Sequence, residues 1–163
     1  MCAMNQSALV RICAVGLLFP AGAACAAGTA ALAVTATVLS KNVCQFSSST
    51  AALNFGSLNP AVGTNATATT SVQFICHGSA ATAAYLVSQN SGLYKTAPNA
   101  NRMRHQTVIT QFLPYSLALS PATGTAPKNV TQTLTITGTV RASDYQDAYV
   151  GSYADTVVLT IVP

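Results

Sequence analysis

The stretch Gly151-Ser-Tyr-Ala-Asp-Thr-Val-Val-Leu-Thr-Ile-Val-Pro163 decides how the rest of the chain is read. Strand formers run almost unbroken from Tyr153 to Val162. Under the two-residue period of an extended strand, Tyr153, Val157, Leu159 and Ile161 share one face, and Ala154, Val158 and Val162 the other. A strand apolar on both faces calls for cover on both sides and a hydrogen-bonded neighbour along each edge. Read as the final element, this run has no later segment to serve as that neighbour. The preceding sequence must supply one, or the edge stays open.

Working outward, the composition is that of an all-β chain. Charged side chains make up 6% of the residues, and there is neither Glu nor Trp. Thr and Val favour strands, while Gly, Pro, Asn and Ser between the apolar runs favour turns. So little charge does not suit a cytosolic enzyme or a helical bundle, and the hydrophobic fraction of 50% does not suit a disordered chain. Strand candidates fall at residues 31–40, 52–55, 71–76, 83–87, 107–119, 130–140 and 153–162, with no convincing helical period. Residues 89–104 and 120–129, rich in Asn, Gly, Ser and Pro, read as long loops. Pro114 is expected to break or bulge its strand. About six to seven turn-separated strands in one domain point to an immunoglobulin-like β-sandwich.

The N-terminus carries its own pattern. Arg11 precedes the apolar run Ile12-Cys-Ala-Val-Gly-Leu-Leu-Phe19, then Pro20 and a tract of small residues. Eight apolar core residues are too few to span a bilayer, and Ala24-Cys25-Ala26 fits a small-x-small cleavage site. Residues 1–26 are expected to be a secretory signal peptide. The alternative, a lipoprotein signal anchored through Cys25, expects a Leu-like side chain where Gly22 stands. Removing the signal takes Cys2, Cys13 and Cys25 with it and leaves Cys44 and Cys76. Two cysteines in an exported chain most simply form one disulfide, here expected between the two sheets. The mature chain keeps six basic and three acidic side chains, a net of +3 that is too weak and scattered for nucleic acid.

Catalytic and metal chemistry find little support. No Gly-x-Ser-x-Gly elbow is present, and Asp144 and Asp147 read as solvated loop residues. His77 and His105 are the only histidines, and neither belongs to a cluster with ligand spacing. Arg102-Met-Arg104-His105 reads as a solvated basic loop rather than an anion site. No enzyme activity, metal, cofactor or small-molecule substrate is expected.

Several pieces, in this order, resemble one family. Val34-Thr-Ala-Thr-Val38 leads to Cys44; Leu53-Asn-Phe-Gly56 precedes Asn59-Pro60; Val72-Gln-Phe-Ile-Cys76 closes the first half. Then follow Asn101-Arg-Met103, Leu113-Pro-Tyr-Ser-Leu117, Leu134-Thr-Ile-Thr-Gly-Thr-Val140 and Gly151-Ser-Tyr-Ala-Asp-Thr156. Together they look like the spore coat protein U domain, a family that includes subunits of archaic chaperone-usher pili. Members often carry a Trp-Gly turn where this chain has Ser120-Pro-Ala-Thr-Gly-Thr-Ala-Pro127. An acidic residue usual in the family is also missing from Leu117-Ala-Leu119.

The resemblance implies an immunoglobulin-like sandwich over residues 27–163 that lacks its final strand. It implies a hydrophobic groove beside the C-terminal strand, bordered by Tyr153, Val157, Leu159 and Ile161. A periplasmic chaperone fills such a groove first; an outer-membrane usher then assembles the pilus as the N-terminal extension of another pilin subunit replaces it. Here the donor strand would be residues 27–34, with Ala30, Leu32 and Val34 as plugs, or the opposite set Thr29, Ala31 and Ala33. The implied function is a fimbrial subunit exported through the periplasm to the cell surface, contributing to adhesion or biofilm. A structural coat protein and a self-complemented secreted binding module, with residues 27–40 folded back as the missing strand, are the alternative readings.

Overall fold

The computed structural model describes residues 31–38 and 41–163. The expected signal peptide and residues 27–30 lie outside the described residues. The chain divides into two units, residues 1–36 and 37–163. In the first, residues 31–36 have no regular secondary structure and are exposed.

The second unit is all-β apart from one helical turn. Its elements are β1 (Asn42–Phe46), β2 (Ala66–Gly78), β3 (Thr82–Gln89), β4 (Arg102–His105), β5 (Phe112–Pro114), β6 (Ser116–Ser120), β7 (Thr123–Pro127), β8 (Gln132–Val140), α1 (Ala142–Tyr145), β9 (Tyr153–Ala154) and β10 (Leu159–Val162). They form three antiparallel sheets, ordered β1-β2-β8-β6, β10-β3-β7 and β5-β4-β9.

Alternation places the core. Val72, Phe74 and Cys76 of β2 and Leu134 and Ile136 of β8 point inward from the four-stranded sheet. Ala83, Tyr85 and Val87 of β3 and Ala126 of β7 meet them from the second sheet. The two layers make a sandwich centred on Phe74, fully buried, whose ring lies edge-on to Tyr85 at 4.8 Å. A second cluster of Leu113, Val140 and Tyr145, flanked by Phe55, Met103, Tyr115 and Tyr153, joins the third sheet.

The sequence-based boundaries need correction in several places. Residues 31–38 and 52–55 make no strand. The polar Thr-rich segment before Ser71 belongs to β2, since its pairing with β8 continues from Phe74↔Gln132 back to Ala66↔Val140. Both expected loops contain strands, β4 and β7, and Pro114 divides residues 112–120 into β5 and β6. The terminal run is split into β9 and β10, so the strands number ten among the described residues. Cover on both faces of that run is also not found: Tyr153, Val157, Leu159 and Ile161 are half-buried, whereas Val158 and Val162 are exposed.

The disulfide forms between Cys44 and Cys76, but within one sheet rather than between two. The cysteines are directly opposed on β1 and β2, with Cα atoms 4.0 Å apart. It closes a loop with a sequence separation of 32 and locks β1 to the sheet. Replacing both cysteines with serine should lower unfolding stability by about 3 kcal/mol. Urea melts of oxidised wild type and the double variant measure the difference, and equal midpoints would reject this role.

Candidate functional site

A groove of about 760 Å³ runs across one face of the four-stranded sheet. Val72 of β2, Leu117 of β6 and Ile136 of β8 line it, with Phe46 from the end of β1. One side is the non-strand segment that follows β1, contributing Ser48, Thr50, Leu53 and Phe55. Tyr153 to Leu159 of the terminal run form the other. A mostly aliphatic and aromatic lining suits a chain of apolar side chains better than a charged or polar substrate.

Leu53 and Phe55 settle over the sheet because β8 has Gly138 beneath them. A Cβ at that position would come within 2.5 Å of Leu53 Cδ2 and 2.7 Å of Phe55 Cζ. Phe55 also meets Tyr115 edge-on, with ring centroids 6.3 Å apart.

The opposite wall is held by side chains where strand pairing lapses. β9 pairs with β4, and β10 with β3, but residues 155–158 between them join no ladder. Asn90 replaces the missing neighbour at Val158: its N–H donates to the Val158 carbonyl at 3.0 Å, and its Oδ1 accepts the Val158 N–H at 2.9 Å. Asp155 Oδ1 accepts the N–H groups of Leu93 at 2.9 Å and Thr156 at 2.8 Å. Asp155 Oδ2 accepts the Tyr115 hydroxyl at 2.7 Å. Gly92, at φ +79°, allows this approach, since a Cβ there would lie 2.0 Å from Asp155 Oδ2. Beyond Leu159, β10 has β3 as its one strand neighbour and lies at the margin of its sheet.

The start of the run is anchored by His105, which is buried. Its Nδ1 accepts the N–H groups of Thr107 and Val108 at 3.1 and 2.9 Å, so Nε2 carries the proton and donates to the Val150 carbonyl at 3.1 Å. Tyr153 packs edge-on against the same imidazole, centroid to centroid 5.0 Å, and donates its hydroxyl to the Tyr149 carbonyl at 2.7 Å. Tyr153, Asp155 and Thr156 of the Gly151-to-Thr156 motif are thereby accounted for as the fixed end of the wall.

Of the residues singled out from sequence, Tyr153, Val157 and Leu159 lie along the groove. Ile161 does not line it and instead packs against the main core. Leu32 and Val34 are 87% and 84% exposed, and Ala30 lies outside the described residues. Phe46, Val72, Leu117 and Ile136 were not singled out as lining; the inward phase of Val72 and Ile136 was visible, but nothing in the pattern marked which inward residues remain uncovered. The basic segment also differs from a solvated loop. Arg102 lies over the Phe112 ring at 3.8 Å and Arg104 over the Tyr94 ring at 4.4 Å.

Among the described residues there is no group of three or more potential metal ligands, and no helix long and apolar enough to cross a membrane. The family model described as "Spore Coat Protein U domain" matches residues 28–160. No curated protein matches the chain. Fifteen chains of solved structures match. One comes from a structure described as a chaperone-tip adhesin complex vital for synergistic activation of CFA/I fimbriae biogenesis, with 13% identity and a TM-score of 0.48. That match covers 76% of this chain and 42% of the other, so this chain spans less than half the length of that relative.

Burial, reinforced by donation to Asp155, pushes the Tyr115 hydroxyl well above its ordinary pKa. Below about pH 10 the phenol is neutral in folded and unfolded chains alike, and its contribution is fully present. Above that, the unfolded chain ionises first, so stability falls as pH rises toward the folded value. Wild type should therefore lose more stability than Tyr115→Phe between pH about 8 and pH about 11. Denaturant melts at the two values provide the comparison; parallel losses would refute the assignment.

Proposed function

The chain belongs to the Spore Coat Protein U domain family, and we propose that it is a structural subunit of a surface fibre, assembled through the open groove. In this reading residues 27–163 form an immunoglobulin-like sandwich short of one strand, and residues 1–26 direct export and are removed. A periplasmic chaperone holds the groove until an outer-membrane usher passes the subunit to its neighbour. The N-terminal extension of another copy then fills the groove by β-strand addition, and the resulting fibre serves adhesion or biofilm.

The observation that carries the proposal is the groove itself, apolar, about 760 Å³, and walled by the terminal run that leads into the marginal strand β10. Such a surface is costly to leave in water, and an unpaired strand edge is a template for another strand. Support also comes from the proposed donor. Leu32, Val34 and Val38 are apolar and 84–87% exposed, and they would share one face once the segment is extended as a strand. Burying each such side chain contributes about 1.5–3 kcal/mol, whereas the alternative plugs Thr29, Ala31 and Ala33 have far less apolar area to bury. The register with Ala30, Leu32 and Val34 pointing into the groove is therefore preferred. A structural role also fits a lining without paired carboxylates or an activated nucleophile.

The test uses the mature chain and its Leu32→Asp variant, chosen because an exposed substitution leaves the fold intact. Wild type should form a ladder on unheated gels, and the variant should remain monomeric while still binding a synthetic peptide of residues 27–38. A variant that polymerises like wild type, or a wild-type monomer indifferent to the peptide, would sink the proposal. Co-purification of the exported protein with a periplasmic chaperone checks the earlier stage.

A further inference from the structure

A second concavity, which shares Tyr115 with the groove, is otherwise lined mainly by polar and charged side chains. It is a cleft of about 280 Å³ where β4, the β5–β6 junction, the end of β8 and α1 come together. Arg102 and Arg141 both line it, together with Asp144, Asn101, Ser116 and Thr139. Neither guanidinium has a carboxylate within ion-pair distance among the described residues, although Asp144 lines the same cleft. Arg102 is held by its stacking on Phe112 and by donation from Nε to the Tyr94 carbonyl, which leaves its terminal nitrogens free to bind. Arg141 is exposed.

Asn101 adds an independent sign. It is 95% buried, being 5% exposed, and its side-chain nitrogen is buried without a hydrogen-bond partner in full geometry. Its partner is the Tyr115 hydroxyl, to which the Asn101 side chain makes only a weak hydrogen bond that falls short of that geometry. A buried donor met this poorly gains from a further acceptor.

We propose that this cleft binds a carboxylated sugar residue of an acidic polysaccharide. The mixture of groups selects the class. Two unpaired arginines suit a carboxylate, which a planar guanidinium grips through paired N–H donors. Asp144 can only accept, so it suits sugar hydroxyls and repels a simple inorganic anion. Asn101, Ser116 and Thr139 match the remaining hydroxyl and ring oxygens. A volume of about 280 Å³ is at the small end for ligand sites, the scale of a single ring rather than an extended cofactor. The surface continues in the same character, since Arg104 stands two residues along β4 from Arg102, about 7 Å away, stacked on Tyr94. An adjacent acidic sugar of the polymer would meet it there. This site does not depend on the groove being filled, and its failure would leave the assembly proposal untouched.

The test is calorimetric titration of the mature protein, with and without the peptide of residues 27–38, against polygalacturonate, neutral dextran, inorganic phosphate and single-stranded DNA. Polygalacturonate should bind, weakening with salt, and dextran should not. Arg141→Gln, at an exposed position, should weaken polygalacturonate binding about tenfold, while Lys41→Gln and Lys128→Gln should leave it unchanged. Asp144→Asn separates the chemistries: it should weaken polygalacturonate binding and strengthen phosphate binding. Phosphate displacing the polymer at the same carboxylate-equivalent concentration, DNA binding as tightly, or Arg141→Gln and Asp144→Asn both binding like wild type would each overturn the proposal.

Discussion

A single carboxylate, that of Asp155, receives hydrogen bonds from three separate parts of the chain, and the wall of the groove depends on it. Leu93 in the long β3–β4 connection, Tyr115 between β5 and β6, and the adjacent Thr156 all donate to it. Charge-assisted bonds of this kind are about twice as strong as neutral ones. With Asn90 capping Val158 from the same side, they take the place of a strand neighbour for residues 155–158. Without such partners, backbone donors beside an apolar surface would go unmet, at about 1–3 kcal/mol each. The wall thus keeps its shape where the ladder lapses.

The opposite side is shaped by a missing atom. Gly138 stands in a strand whose other inward residues are Leu134, Ile136 and Val140, and any side chain there would collide with Leu53 and Phe55. Glycine inside a strand weakens it, but here the vacated space lets a segment without ladder bonds rest against the sheet. Leu53 and Phe55 are consequently held by packing alone. One wall is fixed by hydrogen bonds and the other by apolar contact.

The parts of this fold legible in the sequence were those in which periodicity and burial coincide. Leu134, Ile136 and Val140, or Val72, Phe74 and Cys76, alternate because one face of each strand meets the core. Residues 66–70 escaped that reading because Ala and Thr look alike on either face; their strand character comes from pairing with β8. β7 escaped because Thr123-Gly-Thr-Ala-Pro127 is a turn composition held in a strand by β3, with Gly124 lying under the Tyr85 ring. The cysteines could be paired by counting, yet their inward phase gave no sign that the partner stood on the adjacent strand. Ile161 shares its face with Leu159, but two residues further along the strand that face meets the main core instead of the groove. The arginines of β4 read as solvated because the aromatic rings that cover them come from Tyr94 and Phe112, set apart in sequence.

The sheet margins differ in how they are defended, and the difference bears on the groove. β5 ends in Pro114 and β7 in Pro127, residues that cannot donate to an added strand, and β6 is followed directly by Pro121. β9 runs straight into the engaged carboxylate of Asp155. Lys41 stands just before β1, a charge of the kind that discourages edge-to-edge pairing. β10, Leu-Thr-Ile-Val, is likewise followed directly by a proline, Pro163, and it sits at the margin of its sheet, continuous with the groove wall. What sets β10 apart is its position: a strand added there would extend the sheet and at the same time cover the apolar lining of the groove, so edge pairing and burial of apolar surface would act together.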